Sequence, residues 1–290
     1  MKKSPLITTT SLIGALLMAA ASPAFAQQPA AAQAQSLSYG TDALQKLDFW
    51  RAPGQVPAPL VVFVHGGGWK RGDKDGATGP YKVAHYTGRG YAFASVNYRL
   101  VPDATVEQQA QDIADALAAL LRQSDRLGIA RGRVVLMGHS AGAHLVALVG
   151  TDPRYLRKAG LSYADIRGVI PIDGAAYDVP GQMQDAGRMM GATYRQTFGT
   201  DAARQRALSP TFQTAAPNAP EFLLLHVQRV DGVRQAEELE AALRKAGTHV
   251  EREGFPGRGL PGHMQINREL GNPTYAATGI VDRWLARVLG

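Results

Sequence analysis

The chain has 290 residues, of which 45% are hydrophobic and 19% are charged, a composition that excludes an intrinsically disordered protein. It contains no cysteine, so disulfide scaffolds, cysteine-ligated zinc and thiol catalysis are excluded. Its formal net charge of +7 comes from scattered basic residues. We interpret this charge as a solvated surface and expect no nucleic-acid partner.

Residues 1–26 have the features of a secretory signal peptide. Two lysines precede an apolar stretch over residues 6–21, and residues 24–26 read Ala-Phe-Ala, which matches the small-x-small pattern of a cleavage site. Hydroxyl residues interrupt the apolar stretch, which is too short and polar for a comfortable transmembrane span; an uncleaved anchor is the alternative. We therefore predict a periplasmic or secreted protein without a stable membrane anchor, whose mature part is one domain over residues 27–290.

Strand-like and helix-like segments alternate along the mature chain. Short apolar runs rich in Val, Ile, Leu and Phe are typical of buried parallel strands. They cover residues 60–64, 91–96, 134–137, 168–172 and 222–225. Amphipathic patterns predict helices over residues 106–122, 235–245 and 274–289. This alternation predicts a mostly parallel sheet with helices on both faces, to which residues 36–40 and 45–50 could add an antiparallel edge.

One segment, over residues 175–220, interrupts the alternation. It is rich in Gly, Met, Arg and Gln, and loops of this length usually form lids or binding insertions. We therefore predict one domain with a lid-like insertion. The apolar side chains of the insertion fit either a substrate pocket or packing of the insertion onto the domain. They are Met189, Met190, Tyr194 and Phe198.

The strongest motif is Gly-His-Ser-Ala-Gly at residues 138–142. It follows an apolar strand over residues 133–137 and precedes a helix-compatible stretch over residues 143–149, which is the strand–turn–helix context of a nucleophile elbow. The sharp turn projects the Ser140 hydroxyl above the sheet, and the small flanking residues let strand and helix approach each other. We predict Ser140 as the nucleophile; the alternative is a plain strand–helix turn.

A second motif, His-Gly-Gly-Gly-Trp at residues 65–69, follows the strand over residues 60–64. Consecutive glycines at a strand end permit positive φ angles and close approach of the backbone to a ligand, as an oxyanion hole of main-chain N–H groups requires. We predict Gly67 and Gly68 as donors, together with the N–H of Ala141 at the start of the elbow helix. A phosphate-binding loop is not supported, because the Gly-Lys-Ser/Thr ending is missing.

With Asn-Tyr-Arg-Leu at residues 97–100, these two motifs make the chain resemble the α/β-hydrolase superfamily. The similarity is greatest to hormone-sensitive-lipase-like carboxylesterases and to their feruloyl esterase, acetylxylan esterase and formamide hydrolase relatives, and it extends over residues 60–263. The resemblance implies an α/β-hydrolase fold with a central, mostly parallel, eight-stranded sheet. It also implies a Ser-Asp-His triad that works without a cofactor.

The family order of nucleophile, acid and base places the catalytic histidine downstream of Ser140. His144 lies on the elbow helix and is badly placed for a base. His226 and His249 lie at strand ends, and we interpret both as structural. His263 lies in a predicted loop after the strand-like residues 249–253, where the family carries its catalytic histidine, and is predicted as the general base.

Two residues are candidates for the triad acid. Asp231 follows the strand over residues 222–225, where the family places the acid, and we predict it in this role. The usual His-Gly-x-x-Asp pattern is altered here to His-Val-Gln-Arg-Val-Asp at residues 226–231, which changes the loop. Asp173, at the end of the strand over residues 168–172, is the alternative.

Together these residues predict a secreted or periplasmic serine carboxylic-ester hydrolase that acts through an acyl-enzyme on Ser140. The expected substrate is a small-molecule or carbohydrate-linked ester. A formamidase-like amide hydrolase is the first alternative, and a non-catalytic binding protein of the same fold is the second. No metal site is expected, because neither a His-Glu-x-x-His pattern nor an acidic calcium loop occurs.

Overall fold

The computed structural model shows how the strand-like segments assemble. It describes Met1 and residues 33–54, 56–185, 188–215 and 217–290. Apart from Met1, the predicted signal peptide lies outside these described residues.

A sheet of eight strands forms the centre of the domain. The strands are β1 (Gln35–Ser38), β2 (Lys46–Trp50), β3 (Ala58–Val64), β4 (Ala92–Val96), β5 (Ile129–His139), β6 (Gly168–Ile172), β7 (Glu221–Gln228) and β8 (His249–Arg258). Their order across the sheet is β1-β2-β4-β3-β5-β6-β7-β8. The β1–β2 and β2–β4 pairs are antiparallel, and the pairs from β4 to β8 are parallel. The predicted mostly parallel sheet with an antiparallel edge is therefore confirmed.

Strand β3 shows why an unbroken apolar run forms a central strand. Leu60 and Val62 pack in the core on one face of the sheet, whereas Val61 and Phe63 pack in the core on the other, because successive side chains of a strand alternate. All four side chains are fully buried. A strand covered on both faces has no position for a polar residue, which explains the pattern that identified it.

Helices cover both faces of this sheet. In the described part of the chain they are α1 (Lys82–Gly88), α2 (Val106–Arg122), α3 (Ser124–Leu127), α4 (Ala141–Thr151), α5 (Pro153–Lys158), α6 (Val179–Asp185), α7 (Arg188–Phe198), α8 (Ala202–Ala207), α9 (Val230–Lys245), α10 (Gly259–Glu269) and α11 (Ala276–Leu289). Leu117 of α2 and Leu145 of α4 belong to the core on one face, and Val281 and Trp284 of α11 to the core on the other. The layered arrangement predicted from the alternation is confirmed.

The helix predictions differ from the structure at the amino end of α9 and at α10, which spans Gly259–Glu269 where the sequence predicts a loop around His263. The predicted helix over residues 106–122 has the bounds of α2, which begins after a capping box formed by Thr105 and Gln108. Helix α9 begins at Val230, five residues before the predicted start at Gln235, so the segment expected to be a loop after β7 is already helical.

The segment between β6 and β7, predicted as an insertion, contains the helices α6, α7 and α8 and a 3-10 turn at Pro210–Phe212. No helix in the described residues is long and apolar enough to cross a membrane.

Lys82 in α1 is completely buried. Its ammonium group donates to the carbonyl oxygens of Thr78, at 2.8 Å, and of Asn267 in α10, and it lies 5.0 Å from the centre of the Phe63 ring. Burial lowers the pKa of Lys82 to about 7. The same side chain therefore joins α1 to α10 and titrates near neutral pH.

We expect the burial of Lys82 to make the stability of the protein depend on pH. In the unfolded chain this amine titrates near about 10.4, so between about pH 7 and pH 10 the unfolded state binds more protons than the folded state. Relative to a Lys82→Met variant, the free energy of unfolding should rise with pH across this window and stay constant below it. Urea unfolding of both proteins from about pH 6 to pH 10 measures this difference. A difference independent of pH would contradict the expectation.

Candidate active site

Ser140 lies at the sharp turn between β5 and α4, with φ 57° and ψ −118°. A residue with a side chain rarely adopts a positive φ, so the turn is strained. A Cβ added at Gly138 would lie 2.3 Å from the carbonyl oxygen of Gly142, and one added at Gly142 would lie 2.2 Å from that of Val64. The two glycines of the motif are therefore required by close contacts between backbones, the reason anticipated for a nucleophile elbow.

The glycine-rich loop after β3 lies against this turn. A Cβ added at Gly66 would lie 2.9 Å from the Cβ of Ser140, and Gly67 and Gly68 have φ angles of 125° and 62°. The loop thus brings its main chain to the same edge of the sheet as the amino end of α4, where Ala141 is the first helical residue. The residue before Gly67 therefore lies against Ser140, and the role of Gly67, Gly68 and Ala141 as oxyanion donors stays a prediction.

His144 connects the glycine loop to the insertion. Its Nδ1 accepts a hydrogen bond from Trp69 Nε1 at 3.3 Å, and its Nε2 donates to the carbonyl oxygen of Leu208 at 2.8 Å. Burial lowers the pKa of His144 to about 4, so the ring is neutral at ordinary pH and can accept at one nitrogen while donating at the other. Both ring nitrogens of His144 are thus engaged away from Ser140, in agreement with the expectation that it is badly placed for a base.

The aromatic side chains of the insertion pack on the same tryptophan. The rings of Tyr194 and Phe198 in α7 meet Trp69 at centroid distances of 5.9 and 4.9 Å. Phe198 is fully buried and Tyr194 is 5% exposed. Of the two interpretations of these residues, the structure favours packing of the insertion onto the domain.

His263, in α10, lies between a serine and an aspartate. Its Nε2 is 3.0 Å from Ser140 Oγ, and its Nδ1 is 2.5 Å from Asp173 Oδ2. Asp173 follows β6 and is completely buried. Its Oδ1 accepts a hydrogen bond from the backbone N–H of Val227 at 3.0 Å. The structure therefore brings Ser140 and His263 together, with a carboxylate on the far side of the imidazole.

That carboxylate belongs to Asp173 and not to Asp231, so the expectation that Asp231 lies beside His263 is wrong. Because α9 begins directly after β7, Asp231 falls in the first helical turn instead of in an extended loop. Its Oδ2 accepts hydrogen bonds from Arg229 Nη2 at 3.0 Å and from Gln182 Nε2 at 3.3 Å. Strands β6 and β7 are neighbours, so a residue at the end of either strand is near the histidine, and helix placement decides which one reaches it.

Asp173 is held ionised. Burial by itself raises the pKa of this carboxyl, but the hydrogen bond from His263 and the charge of Arg229 outweigh burial and hold the pKa below its ordinary value. An ionised carboxylate facing Nδ1 places a hydrogen on that nitrogen and leaves the lone pair of Nε2 directed to Ser140.

Two residues in contact with His263, Arg229 and His139, were not predicted from the sequence. Arg229 Nη1 lies 3.0 Å from Asp173 Oδ2 and 2.7 Å from His263 Nδ1. His139, the variable residue of the elbow motif, donates from Nε2 to the carbonyl oxygen of His263 at 2.9 Å. The altered pattern at residues 226–231 could have pointed to Arg229. It places a basic residue two positions before Asp231, in the segment that follows the strand.

One group of side chains in the described residues has the donor atoms that could bind a metal ion. It consists of Glu221, His249 and Glu251. It lies where β7 and β8 begin, at the sheet edge opposite Ser140. Arg287 bonds to both carboxylates, so the group is already charge-paired.

The sequence of the chain is similar to those of known esterases. Residues 47–231 match the BD-FAE family. The chain is 30% identical over 238 residues to esterase LipC of Mycobacterium tuberculosis, a span covering 76% of this chain and 58% of LipC. It spans about 60% of the length of the curated relatives it matches first.

Two solved structures resemble the whole domain. Esterase B of Lactobacillus rhamnosis has a TM-score of 0.70 at 21% identity, covering 90% of this chain and 86% of that one. A thermophilic esterase of Thermogutta terrifontis has a TM-score of 0.70 at 21% identity, covering 90% of this chain and 95% of the esterase. These likenesses confirm the predicted α/β-hydrolase fold.

The glycine loop generates a test with a matched control. A Cβ at Gly67 would lie 1.9 Å from the carbonyl oxygen of Arg71, whereas a Cβ at Gly68 would have its nearest neighbour, Thr193 Cγ2, at 3.7 Å. Gly67→Ala must therefore move the backbone, and loss of one oxyanion donor typically lowers kcat by about 10²–10³-fold. Gly68→Ala places an alanine at a φ of 62°, which adds strain but no collision with backbone, so it should lose less activity than Gly67→Ala. Ester hydrolysis by variants shown to be folded by circular dichroism measures this; equal losses in both would contradict the expectation.

Proposed function

The chain belongs to the BD-FAE family, and from this membership and the geometry of its candidate site we propose that it is a serine carboxylic-ester hydrolase. The observation that carries the proposal is the hydrogen-bonded series from Ser140 Oγ to His263 Nε2, and from His263 Nδ1 to Asp173. It stands at a strained elbow of the kind that exposes a nucleophile.

In the proposed mechanism Ser140 attacks the ester carbonyl while His263 Nε2 accepts the hydroxyl proton. Asp173 keeps the hydrogen of the imidazole on Nδ1 and stabilises the imidazolium that forms. The negative charge of the tetrahedral intermediate develops beside the main-chain N–H groups of Gly67, Gly68 and Ala141. His263 then protonates the leaving alcohol, and a water molecule activated by the same histidine hydrolyses the acyl-enzyme.

The proposed substrate is a small-molecule or carbohydrate-linked ester with an apolar part. Leu260 and Met264 lie on α10, the helix that carries His263, and are 67% and 52% exposed. Exposed apolar side chains beside a catalytic histidine can contact the acyl or alcohol group of an ester, where they lose their exposure to water. The resemblance to feruloyl and acetylxylan esterases supports the same substrate class.

We also propose that the protein acts in the periplasm or outside the cell. The support is the signal-peptide pattern over residues 1–26. Expression of the full chain in a bacterium, followed by mass spectrometry of the product, should find an amino terminus at Gln27 in the periplasmic or secreted fraction. An intact amino terminus would contradict this proposal.

Covalent labelling tests the proposed chemistry directly. A fluorophosphonate should form an adduct at Ser140, and the protein should hydrolyse p-nitrophenyl esters, with the chain length of the acyl group defining the pocket. Ser140→Ala should abolish both reactions. A preference for aryl formamides would favour the formamidase alternative, and an adduct on another residue, or no turnover by folded protein, would overturn the hydrolase proposal.

The acid of the triad is tested by two amide substitutions. Asp173→Asn removes the charge that holds the tautomer of His263, and such a change can lower kcat by about 10⁴-fold. Asp231→Asn leaves the carboxylate beside His263 in place, so its loss should be about tenfold or less. Steady-state kinetics of folded variants compares the two. If Asp231→Asn is the inactive protein, the acid is assigned to the wrong residue.

A further inference from the structure

Three charged side chains form one connected series with His263, on the side of the imidazole away from Ser140. Asp173 lies between the imidazole and the Arg229 guanidinium, and Arg229 in turn holds Asp231. Asp173 is completely buried, and the Arg229 side chain is 14% exposed. The Asp231 side chain is 33% exposed, so the coupling of charges is strongest between Asp173 and Arg229, where water screens least.

Arg229 does not donate to His263 in the active arrangement of protons. His263 Nδ1 can make only one hydrogen bond in the plane of the ring. It either donates a hydrogen to Asp173, 2.5 Å away, or accepts one from Arg229, 2.7 Å away. An ionised carboxylate can only accept, so the hydrogen belongs on Nδ1 and the contact with Arg229 is a close approach of positive charge. By itself this charge would oppose the imidazolium that forms during catalysis.

Asp231 offsets that charge. It accepts from Arg229 Nη2 at 3.0 Å, and Gln182 of the insertion donates to the same carboxylate at 3.3 Å. The charge of Arg229 and its hydrogen bond outweigh the effect of burial and hold the pKa of Asp231 below its ordinary value, so this carboxylate is ionised at neutral pH.

We propose that Arg229 and Asp231 are positioning residues that act as a pair. Arg229 anchors the buried Asp173 against His263, and Asp231 neutralises Arg229 so that the histidine experiences the charge of a single carboxylate. With both residues present the series carries one net negative charge when His263 is neutral, and none when it is an imidazolium. This inference rests on the proposed function and goes beyond it by giving Asp231 a role through Arg229.

Two substitutions should shift the pH dependence of activity in opposite directions. Asp231→Asn leaves the positive charge of Arg229 uncompensated and disfavours the imidazolium. The acid limb of kcat/KM should move to lower pH by about half a unit, and the plateau should fall by up to about tenfold, mainly through kcat. Arg229→Met leaves two carboxylates uncompensated, so the limb should move to higher pH by about one unit.

Charge-restoring variants separate this effect from a merely structural one. Arg229→Lys keeps the positive charge, and the double variant Arg229→Met with Asp231→Asn restores one net negative charge. Both should return the midpoint of the acid limb close to that of the unmodified protein. Arg204 and Glu107 form a matched, bidentate ion pair between α8 and α2, and Arg204→Met or Glu107→Gln should leave the midpoint unchanged.

Other titratable groups also act on His263 or on the acids beside it. They are His139, Tyr177, Tyr194 and Tyr275, and Lys82 acts in turn on His139. Burial and the neighbouring His263 lower the pKa of His139 well below its ordinary value, and burial lowers that of Lys82 to about 7. These groups are the same in every variant, so they affect the shape of each profile but not the direction of the differences.

The ring nitrogens of His263 provide a readout that does not need turnover. In ¹⁵N-labelled Ser140→Ala protein, the imidazole resonances should titrate with midpoints that move down with Asp231→Asn and up with Arg229→Met. Opposite shifts support the inference even if no ester is hydrolysed, in which case the proposed function alone fails. Ester turnover by the unmodified protein, with midpoints that do not move or that move together, overturns the inference and leaves the function standing.

Discussion

The burial of the Asp173 carboxylate is the constraint on which the candidate site depends. A fully buried charge is costly unless hydrogen bonds and an opposite charge replace the water that it loses. Here the backbone of Val227, the guanidinium of Arg229 and the imidazole of His263 supply those contacts. Because they come from β7, from the start of α9 and from α10, one carboxylate holds these elements in a common arrangement.

A second constraint is steric and acts on the other side of Ser140. The elbow and the glycine loop approach so closely that a Cβ at Gly142 would collide with the end of β3. Trp69, at the end of the glycine loop, is held by a hydrogen bond to His144 on the elbow helix and by contacts with two aromatic rings of α7. The insertion therefore supports the loop that is proposed to bind the oxyanion, in addition to any contact it makes with substrate.

The insertion takes part in both constraints, because it contacts Trp69 and also Asp231, the partner of Arg229. Gln182 of α6 bonds to Asp231, while Phe198 of α7 packs on Trp69. One segment thus contacts both the support of the oxyanion loop and the ion pair next to Asp173. Movement of the insertion would change the packing on one side of the histidine and the charge balance on the other.

The sequence by itself determined the layered fold, the positions of Ser140 and His263, and the glycine loop. Each of these depends on a local requirement: unbroken apolar runs for strands covered on both faces, and glycines where backbones approach closely. The partner of His263 was decided only by tertiary structure. β6 and β7 end side by side, so Asp173 and Asp231 are both near the histidine, and the early start of α9 turns Asp231 toward Arg229. Residues 173 and 229 are far apart in the chain, and their contact exists only because two neighbouring strands end at the same edge of the sheet.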